Sequence, residues 1–232
     1  MESLSIVVPV YNEDLNLKKL TLEINQSLVK KYNYEIIFVN DGSTDNSTNI
    51  IYELKKTFSN IKLIDFKKNN GQSYCIYKGI ESSKYNSIVT IDADLQNDPK
   101  DIPKLGEIYF DKFPKYQMIG GLRSKRKDSI VKILSSKFAN SIRKLILNDK
   151  CDDTGCSLKI FNKHEFLKLP YFNGMHRFLP ALFIALNNRN LFVKVNHRYR
   201  IYGSSNYGTL DRLFRGIIDI FRVLVIIRNI KK

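Results

Sequence analysis

Residues 88–96 read IVTIDADLQ, a short apolar run that ends in two carboxylates one residue apart, Asp92 and Asp94. Such a run, bounded by polar residues, predicts a buried strand of a parallel sheet. Ligands of open α/β sheets bind outside the carboxyl ends of the strands, so both carboxylates are expected where a ligand binds. Side chains at i and i+2 of an extended segment share one side, and two convergent carboxylates repel each other. A hard divalent cation would relieve that repulsion; the alternative is a solvated turn after a strand.

The first hundred residues alternate between predicted strands and predicted helices. Strands are expected at residues 4–10, 35–39, 61–66 and 87–91. Helices are expected at about 15–31, 47–58 and 71–82, the first of them on apolar residues at helical spacing. This alternation predicts an α/β fold with a mostly parallel, doubly wound sheet and helices on both faces.

Polar clusters follow three of these strands. They are Tyr11-Asn12-Glu13, the stretch 41–45 (DGSTD) and the Asp92/Asp94 pair. All three are expected along one sheet edge, where a nucleotide can lie and carboxylates can accept hydrogen bonds from base and ribose. The chain contains neither G-x-x-x-x-G-K-[ST] nor G-x-G-x-x-G, so phosphate charge must be met by a metal and by basic residues elsewhere.

The formal net charge of +15 is placed unevenly. Residues 1–100 hold 13 acidic and 12 basic residues, whereas residues 101–232 hold 10 acidic and 26 basic ones. The excess suggests a polyanionic partner for the second half: nucleic acid, an anionic lipid surface or a phosphorylated substrate. A compositional bias of the organism is the bland alternative. Nucleic acid is disfavoured, because acidic clusters at three strand ends would repel it and aromatic residues do not interleave with the basic ones.

Cysteine usage and hydropathy predict a cytoplasmic protein. The three cysteines, Cys75, Cys151 and Cys156, are an odd number without a second pair to complete a zinc site, which favours reduced thiols. Met1 leads directly into a strand-like run, so no signal sequence is expected. A spanning helix needs roughly 20 uninterrupted apolar residues, and none is predicted.

Several motifs together resemble the inverting family 2 glycosyltransferases, in particular the dolichol-phosphate mannosyltransferase-like branch that charges a polyprenyl phosphate with a sugar. The motifs in the first half are PVYNE (9–13), VNDGSTD (39–45), NGQS (70–73) and DADLQ (92–96). Those in the second half are GLR (121–123), DTGC (153–156), HRFLP (176–180) and HRYRIYG (197–203). Each motif alone is weak, but their order is specific. Asn40 and Asn206 depart from the family pattern, which more often has Asp and Lys there.

The resemblance implies a GT-A type nucleotide-sugar-binding fold and a metal-dependent enzyme. By position, Pro9, Tyr11, Glu13, Asp41 and Asp92 would bind the nucleotide. Asp94, Asp92 and Gln96 would hold Mg²⁺ or Mn²⁺ against the diphosphate. An ordinary helix entry is the alternative for Tyr11 and Glu13, since an acidic residue suits a first helical turn.

Basic residues of the second half are candidate phosphate ligands. A helix is expected over residues 130–147, with an apolar stripe that includes Leu145 and an opposite face that carries Lys132, Ser136 and Arg143. The resemblance implies that Arg123, Lys132 and Ser136 bind the acceptor phosphate, and the fork of Arg123 suits phosphate oxygens. A solvated basic face is the alternative.

Asp152 and Asp153 occupy the slot in which the relatives keep a carboxylate close to the reaction centre, and they are the candidate catalytic residues. The six-residue interval to Lys159 matches the family and favours Asp153. A hydroxyl acceptor needs a general base, whereas a phosphate acceptor is already an anion, so Asp153 is expected to orient acceptor or sugar. A charged turn is the alternative. Further cations were assigned to the leaving diphosphate: His176, Arg177, Arg198 and Arg200.

The tail, residues 210–227, predicts an amphipathic helix with a cationic face. It would lie on an anionic membrane surface, or pack on the core or on a second copy of the chain. The expected organisation is a glycosyltransferase domain at 1–208, with a nucleotide-binding half (1–100) and an acceptor-binding half (101–208), and an amphipathic helix at 209–232.

The expected partners are a nucleotide-sugar donor, a polyprenyl-phosphate acceptor and the inner face of the membrane, with nucleic acid excluded. The expected reaction is inverting transfer to the lipid phosphate. One alternative is transfer to a glycan hydroxyl in envelope polysaccharide synthesis, with Asp153 as base. A non-catalytic basic binding module for lipid or nucleic acid is the remote alternative.

Overall fold

The computed structural model describes residues 1–124, 141–200 and 209–231, with side chains described through residue 200 and again from residue 218. Two of the predicted phosphate ligands, Lys132 and Ser136, lie outside the described residues.

One seven-stranded mixed sheet runs through both halves of the chain. Its strands are β1 (Ser3–Val10), β2 (Asn33–Asp41), β3 (Ile61–Phe66), β4 (Ser87–Thr90), β5 (Met118–Arg123), β6 (Lys159–Asn162) and β7 (Asn190–Val195), in the order β3-β2-β1-β4-β6-β5-β7. Strands β1 to β4 pair in parallel, as do β5 and β7, while β6 runs antiparallel to both of its neighbours. The prediction of a mostly parallel α/β sheet is confirmed.

Helices follow the strands in the predicted alternation. They are α1 (Asp14–Leu28), α2 (Ser47–Thr57), α3 (Gln72–Glu81), α4 (Ile102–Lys112), α5 (Lys163–Leu167), α6 (Leu179–Ala185) and α7 (Thr209–Ile230). Residues 141–147 are also helical. In the first hundred residues, apolar strands and amphipathic helices end within about two or three residues of the predicted bounds, the ordinary uncertainty of helix and strand ends.

The sheet has a hydrophobic core on each face, and its strands contribute side chains to both cores because successive side chains of a strand point to opposite faces. Ile6 and Val8 of β1 pack in the cluster that contains α1, α2 and α4 residues, whereas Val7 packs in the cluster that contains α3 and α6 residues. Burial on both faces explains why the strands are almost purely apolar.

The strand order places a crevice at the carboxyl ends of β1 and β4. From β1 the chain moves outward through β2 and β3, and α3 then returns it to β4 on the other side of β1. Helix α1 therefore packs on one face of the sheet and α3 packs on the opposite face. Ligands of open α/β sheets bind at such a topological switch point.

A helix is expected over residues 130–147, and the structure describes its last part, residues 141–147. There the prediction of which face is apolar is wrong. Leu145 is 87% exposed, while Arg143 is buried against Asp149 and the carbonyl of Cys151. The stripe follows from residue spacing alone, whereas the burial of Arg143 depends on its ion pair with Asp149, which the spacing does not contain.

The amphipathic C-terminal helix is present and packs with one face on α6. Ile220 and Val223 are buried in the core that contains α6, whereas Ile218, Phe221 and Val225 are exposed along another face. One apolar face of the helix therefore packs on the core, as one alternative predicted. A second apolar face is exposed, so contact with a membrane or with a second copy of the chain stays a prediction. Among the described residues, no helix is long and apolar enough to cross a membrane.

Candidate active site

Asp92 and Asp94 stand directly after β4, at the switch point. The side-chain amide of Gln72 donates to Asp92 Oδ1 at 2.7 Å, and the backbone N–H of Asp92 donates to Ser157 Oγ at 3.1 Å. The Asp94 carboxylate accepts from the backbone N–H of Gln96 at 3.1 Å. Between them Leu95 adopts φ +60°, a left-handed conformation that costs an apolar residue free energy and is found at functional turns.

The two acids are electrostatically strained. Burial, together with the neighbouring charge of Asp94, raises the pKa of Asp92 to about 6, against the opposing charge of Lys159. Burial also raises the pKa of Asp94, against a hydrogen bond from Gln96 and the charge of Arg200. Half-buried carboxylates that resist ionisation gain when a divalent cation arrives, since the cation favours their charged forms.

The donor set fits Mg²⁺ or Mn²⁺ supported by a ligand phosphate. Asp92, Asp94 and the side-chain oxygen of half-buried Gln96 supply hard oxygen atoms on one turn. Within the described ranges, no group of three or more His, Cys, Asp or Glu side chains is placed to hold a metal by itself. A cation held by one or two carboxylates, with water and substrate phosphates completing the shell, is the usual arrangement for Mg²⁺.

A segment after β7 closes over this turn. The backbone N–H of Arg198 donates to the Gln96 carbonyl at 2.8 Å, and Arg200 donates to Glu13 Oε1 at 2.6 Å. Burial raises the pKa of Glu13 to about 7, with Asp94 and Asp92 adding to the effect of burial. Three acids from the ends of β1 and β4 therefore share one electrostatic environment, and Arg200 meets the outermost of them.

The polar residues after β1 and β2 hold one another in place. Asn12 accepts from the backbone of Thr44 at 2.8 Å, and both oxygens of Asp41 accept backbone N–H groups, from Asn70 at 2.7 Å and Gly71 at 2.9 Å. Gly42 has φ +70°, and a Cβ there would lie 2.7 Å from the backbone of the 68–69 turn. Asp41 thus ties two loops together, and a ligand contact would use its remaining lone pairs. Tyr11 is half-buried beside this network.

A small cavity opens beneath the acid pair. Its lining includes Pro9, Gln72, Asp92, Ser157, Lys159 and His176. Lys159 is buried, and its ammonium donates to the carbonyls of Cys156 and Thr154. His176 Nδ1 lies 2.6 Å from the hydroxyl of Ser73. Burial, with the charges of Arg177 and Lys159, lowers the pKa of His176 to about 3.

The structure does not support the description of His176 as a cation. A pKa of about 3 leaves the ring neutral at physiological pH, because burial and two neighbouring cations penalise the charged form. Its neighbour in sequence, Arg177, donates to Asp219 of α7 at 2.7 Å.

Arg123 and Asp153, predicted for separate roles, form one bidentate pair. Arg123 Nε and Nη2 each donate to a different oxygen of Asp153 at 2.7 Å, and the backbone N–H of Arg123 adds a third bond at 3.1 Å. Both side chains are nearly buried. Asp152, by contrast, is exposed and paired with Lys144. The structure therefore places Asp153 beside Arg123 and turns Asp152 outward.

Arg198 is also held by carboxylates. It donates to Glu23 of α1 at 2.6 Å and to Asp98 at 2.5 Å. The predicted leaving-group cations are thus split: Arg200 lies over the acid cluster, whereas Arg198 joins the segment to α1 and to the turn before α4.

Three site residues were not singled out by sequence reasoning: Gln72, Ser157 and Lys159. Gln72 and Lys159 line the cavity together with Asp92, and the Gln72 amide donates to the Asp92 carboxylate. Ser157 links Asp92 to Asn97 by hydrogen bonds. Gln72 was part of a recognised motif, and its position at the start of α3 was the available signal. Nothing in the sequence indicated that Lys159 would be buried, since an isolated lysine is usually exposed.

The family model described as "Glycosyl transferase family 2" matches residues 5–168. The dodecaprenyl-phosphate galacturonate synthase of Rhizobium johnstonii is 32% identical over 231 residues, which cover 97% of this chain and 67% of that protein. The undecaprenyl-phosphate 4-deoxy-4-formamido-L-arabinose transferase of Aeromonas hydrophila is 32% identical over 209 residues, 89% of this chain and 63% of that protein. The chain thus spans about two thirds of the length of these curated relatives.

Solved structures of glucosyl-3-phosphoglycerate synthase from Mycobacterium tuberculosis share the fold. The complex with uridine diphosphate (UDP) has a TM-score of 0.72 at 15% identity, and covers 97% of this chain and 81% of that one. The complex with Mn²⁺, UDP and glucosyl-3-phosphoglycerate has a TM-score of 0.70 at 16% identity, with 97% and 79% covered. At this identity the likeness shows the fold alone.

Proposed function

This chain belongs to glycosyl transferase family 2, and from that premise we propose that it transfers a sugar from a nucleotide-sugar to a polyprenyl phosphate, with inversion and with Mg²⁺ or Mn²⁺. One observation carries the choice of acceptor: the named relatives act on dodecaprenyl or undecaprenyl phosphate and match 89–97% of this chain. The curated relatives matched along nearly the whole chain thus share one class of acceptor.

The proposed donor site lies at the carboxyl ends of β1, β2 and β4. Asp94, Asp92 and Gln96 would hold the divalent cation, which neutralises diphosphate charge when bound. Residues proposed to contact the nucleotide are Pro9, Tyr11, Glu13, Asp41 and Asp92. The mutual repulsion of the Asp92 and Asp94 carboxylates supports this assignment, because cation and diphosphate binding would offset it together.

In the proposed reaction, an oxygen of the polyprenyl phosphate attacks the anomeric carbon while the bond from that carbon to the diphosphate oxygen breaks. The nucleoside diphosphate leaves with the bonding electrons, and the configuration at the anomeric carbon inverts. The acceptor is already an anion, so no residue has to remove a proton. Asp153 suits this reaction, since a carboxylate held by both arms of Arg123 is a poor base but a good positioning group.

The proposed acceptor site lies on the other side of the sheet edge, in the second half. Arg123 would bind the lipid phosphate together with Lys132 and Ser136, which the sequence assigns to the same role. Arg177 and Arg200 would add positive potential around the leaving diphosphate. In this proposal residues 1–100 serve the donor, residues 101–208 serve the acceptor, and residues 209–232 form the tail helix.

The tail helix is proposed to rest on the cytoplasmic face of the membrane. Ile218, Phe221 and Val225 expose an apolar stripe, and the exposed Arg228 and partly exposed Arg222 lie on the same helix. An amphipathic helix of this kind binds an interface through apolar burial and attraction to anionic lipid. Contact with the membrane would bring the enzyme to its proposed acceptor, because the phosphate of a polyprenyl phosphate lies at that interface.

The first test is a thermal-shift screen of UDP-, GDP- and CMP-sugars with and without Mn²⁺. We expect one nucleotide class to raise the melting temperature, and only with the metal. The selected donor, radiolabelled in its sugar, is then supplied with vesicles that contain undecaprenyl phosphate. Label in an organic-extractable, mild-acid-labile lipid supports the proposal, whereas label in polymer alone indicates a glycan hydroxyl acceptor and overturns it.

A further inference from the structure

The buried Ser73 and the partly buried His176 form a hydrogen-bonded pair at the wall of the cavity, and the proposed function gives this pair no task. Ser73 lies at the start of α3 and is fully buried, while His176 lies in the turn that precedes α6. Their side chains meet at 2.6 Å, from segments 103 residues apart. A buried hydrogen bond between distant segments fixes the orientation of both partners.

The backbone around the pair decides where the protons are. The N–H of Gly174 donates to Ser73 Oγ at 2.9 Å, so the hydroxyl oxygen already accepts one bond. Among the described residues, His176 Nδ1 is the only acceptor within reach of the Ser73 hydroxyl hydrogen. If Nδ1 carried the proton, that hydrogen would be buried without a partner, which folded proteins avoid. Ser73 therefore donates to Nδ1, and the ring proton resides on Nε2.

The other ring nitrogen is left for a ligand. In the part of the chain that the structure describes, the hydrogen bond to Ser73 is the one bond that His176 makes, and its ring borders the cavity with Asp92, Gln72 and Lys159. Burial, with the charges of Arg177 and Lys159, lowers the pKa of the ring and keeps it from taking a second proton. The ring thus offers a directional N–H without adding a charge.

We propose that Ser73 is a positioning residue that locks His176 as a neutral donor, whose Nε2–H binds an oxygen of the sugar-diphosphate donor in the cavity beneath Asp92. The inference rests on the proposed function for the identity of the ligand. The cavity lies at the switch point between β1 and β4, and its lining combines a carboxylate, an amide and an ammonium with the apolar Ile76 and Leu179. A hydroxylated ring with an attached phosphate presents both donors and acceptors to such a lining.

The role of a neutral donor differs from that of a proton carrier or a cation. A general acid or base would need a pKa near the working pH, and a cation would need the second proton. A glutamine side chain can place an amide N–H close to the position of imidazole Nε2–H, but it neither titrates nor carries charge. His176→Gln, His176→Ala and His176→Lys therefore separate the three roles.

The test combines a protonation readout with turnover. ¹⁵N NMR of the ligand-free protein at pH 7 should show Nδ1 of His176 unprotonated and Nε2 protonated, and Ser73→Ala should mix the two tautomers. In sugar transfer from the UDP-, GDP- or CMP-sugar found in the thermal-shift screen to undecaprenyl phosphate, His176→Ala and His176→Lys should lose about 10²-fold in kcat. His176→Gln should recover about 10-fold of that loss, and Ser73→Ala should lose about 10-fold.

The matched control is His164→Gln, since His164 is exposed on α5 and should change neither readout. The inference is overturned if wild-type His176 carries its proton on Nδ1 or is an imidazolium at pH 7, or if His176→Gln is as slow as His176→Ala. Should wild type show the Nε2–H tautomer but bind none of the nucleotide sugars, the proposed function fails instead. The wild-type spectrum needs no variant, so misfolding of Ser73→Ala does not remove the test.

Discussion

Carboxylates crowd together at the ends of β1 and β4, whereas five arginines of the second half are paired with carboxylates that lie outside that cluster. Glu13, Asp92 and Asp94 raise one another's pKa values or have them raised by burial. The five arginines are Arg123, Arg143, Arg177, Arg198 and Arg222. Arg200 instead pairs with Glu13 of the acid cluster. A bound cation would stabilise the acidic region, because it would offset the repulsion between the carboxylates. The basic region must exchange an internal partner for a ligand phosphate, so each cation there should contribute less than its charge suggests.

This contrast orders the expected effects, and the largest belongs to the acid pair. Asp94→Ala should lower the rate of sugar transfer by about 10³-fold, because the cation and the diphosphate charge it neutralises lose their anchor. The Mn²⁺-dependent part of the thermal shift with the nucleotide selected in the screen should disappear. Asp111→Asn is the control, since Asp111 is exposed on α4 and, among the residues that the structure describes, is paired with its neighbour Lys112.

If stabilisation by Mn²⁺ and the selected nucleotide stays intact in Asp94→Ala, the metal does not bind at this turn. The two regions would then differ in charge alone, and the contrast between a cation site and a set of internal ion pairs would not hold.

Arg123 tests the basic side of the comparison. Arg123→Ala should raise KM for undecaprenyl phosphate by about 10²-fold with a smaller change in kcat, because a bidentate guanidinium contact to phosphate is lost. Arg123→Lys should restore only part of the loss, since an ammonium lacks the fork. Arg189→Ala is the matched control, because Arg189 is an exposed arginine directly before β7. An unchanged KM in Arg123→Ala would mean that Arg123 does not bind the acceptor phosphate and serves only in its pair with Asp153.

Asp153→Asn separates orientation from proton removal. Asn keeps one acceptor oxygen for Arg123 but loses the charge, so a positioning role predicts a loss of about 10-fold in kcat. A general base predicts a loss of about 10³-fold and a pH–rate profile whose acid limb vanishes in the variant. The first result fits a phosphate acceptor, and the second fits a hydroxyl acceptor.

How far the sequence predicts the molecule differs between the same two regions. Strands β1 to β4 and their helices are specified locally, by continuous apolar runs for the strands, by apolar residues at helical spacing and by polar residues at strand ends, so their positions follow from the chain itself. The ends of β1, β2 and β4 meet because parallel strands share an edge. The acid cluster was therefore predictable before any coordinates.

The second region depends on pairings that no local pattern contains. Arg198 reaches Glu23 across 175 positions, and Arg177 reaches Asp219 across 42. Sequence reasoning recognised each arginine as a phosphate ligand because a cation in a motif looks available. The carboxylate that meets it is set by tertiary packing, and the burial of Lys159 and the neutral state of His176 have the same origin.

A smaller effect is expected where the tail meets the membrane. Phe221→Ser should weaken binding to vesicles of anionic phospholipid by about 10-fold, because an exposed aromatic ring would no longer enter the interface. The side chain is 63% exposed, so the melting temperature should hardly change. Leu15→Ser is the control: Leu15 is 65% exposed on α1, in the region that has no proposed membrane contact. Equal loss of vesicle binding in both variants would mean that no particular surface binds.

The smallest effect concerns stability and returns to the acid pair. The pKa of Asp92 is raised to about 6 in the folded protein, against roughly 3.9 for an unfolded chain. The folded state therefore binds more protons between these values, and the metal-free protein loses stability as pH rises through about 6. Asp92→Asn removes the charge yet keeps an acceptor for the Gln72 amide. In EDTA at pH 7.5 it should raise the melting temperature by about 2–4 °C, the effect of roughly 1 kcal/mol in a chain of this size.

The same substitution should reverse its sign when the ligands are present. With Mn²⁺ and the nucleoside diphosphate selected in the thermal-shift screen, the wild-type carboxylates should be stabilised in their charged forms, so wild type should melt above Asp92→Asn. At pH 5 in EDTA, between the two pKa values, the difference between the variants should be about half of that at pH 7.5. Calorimetry at both pH values, with Asp111→Asn beside them, measures the difference. A metal-free Asp92→Asn no more stable than wild type at pH 7.5 would show that the cluster carries no repulsion for a cation to relieve. The acidic region would then be as internally neutralised as the basic one.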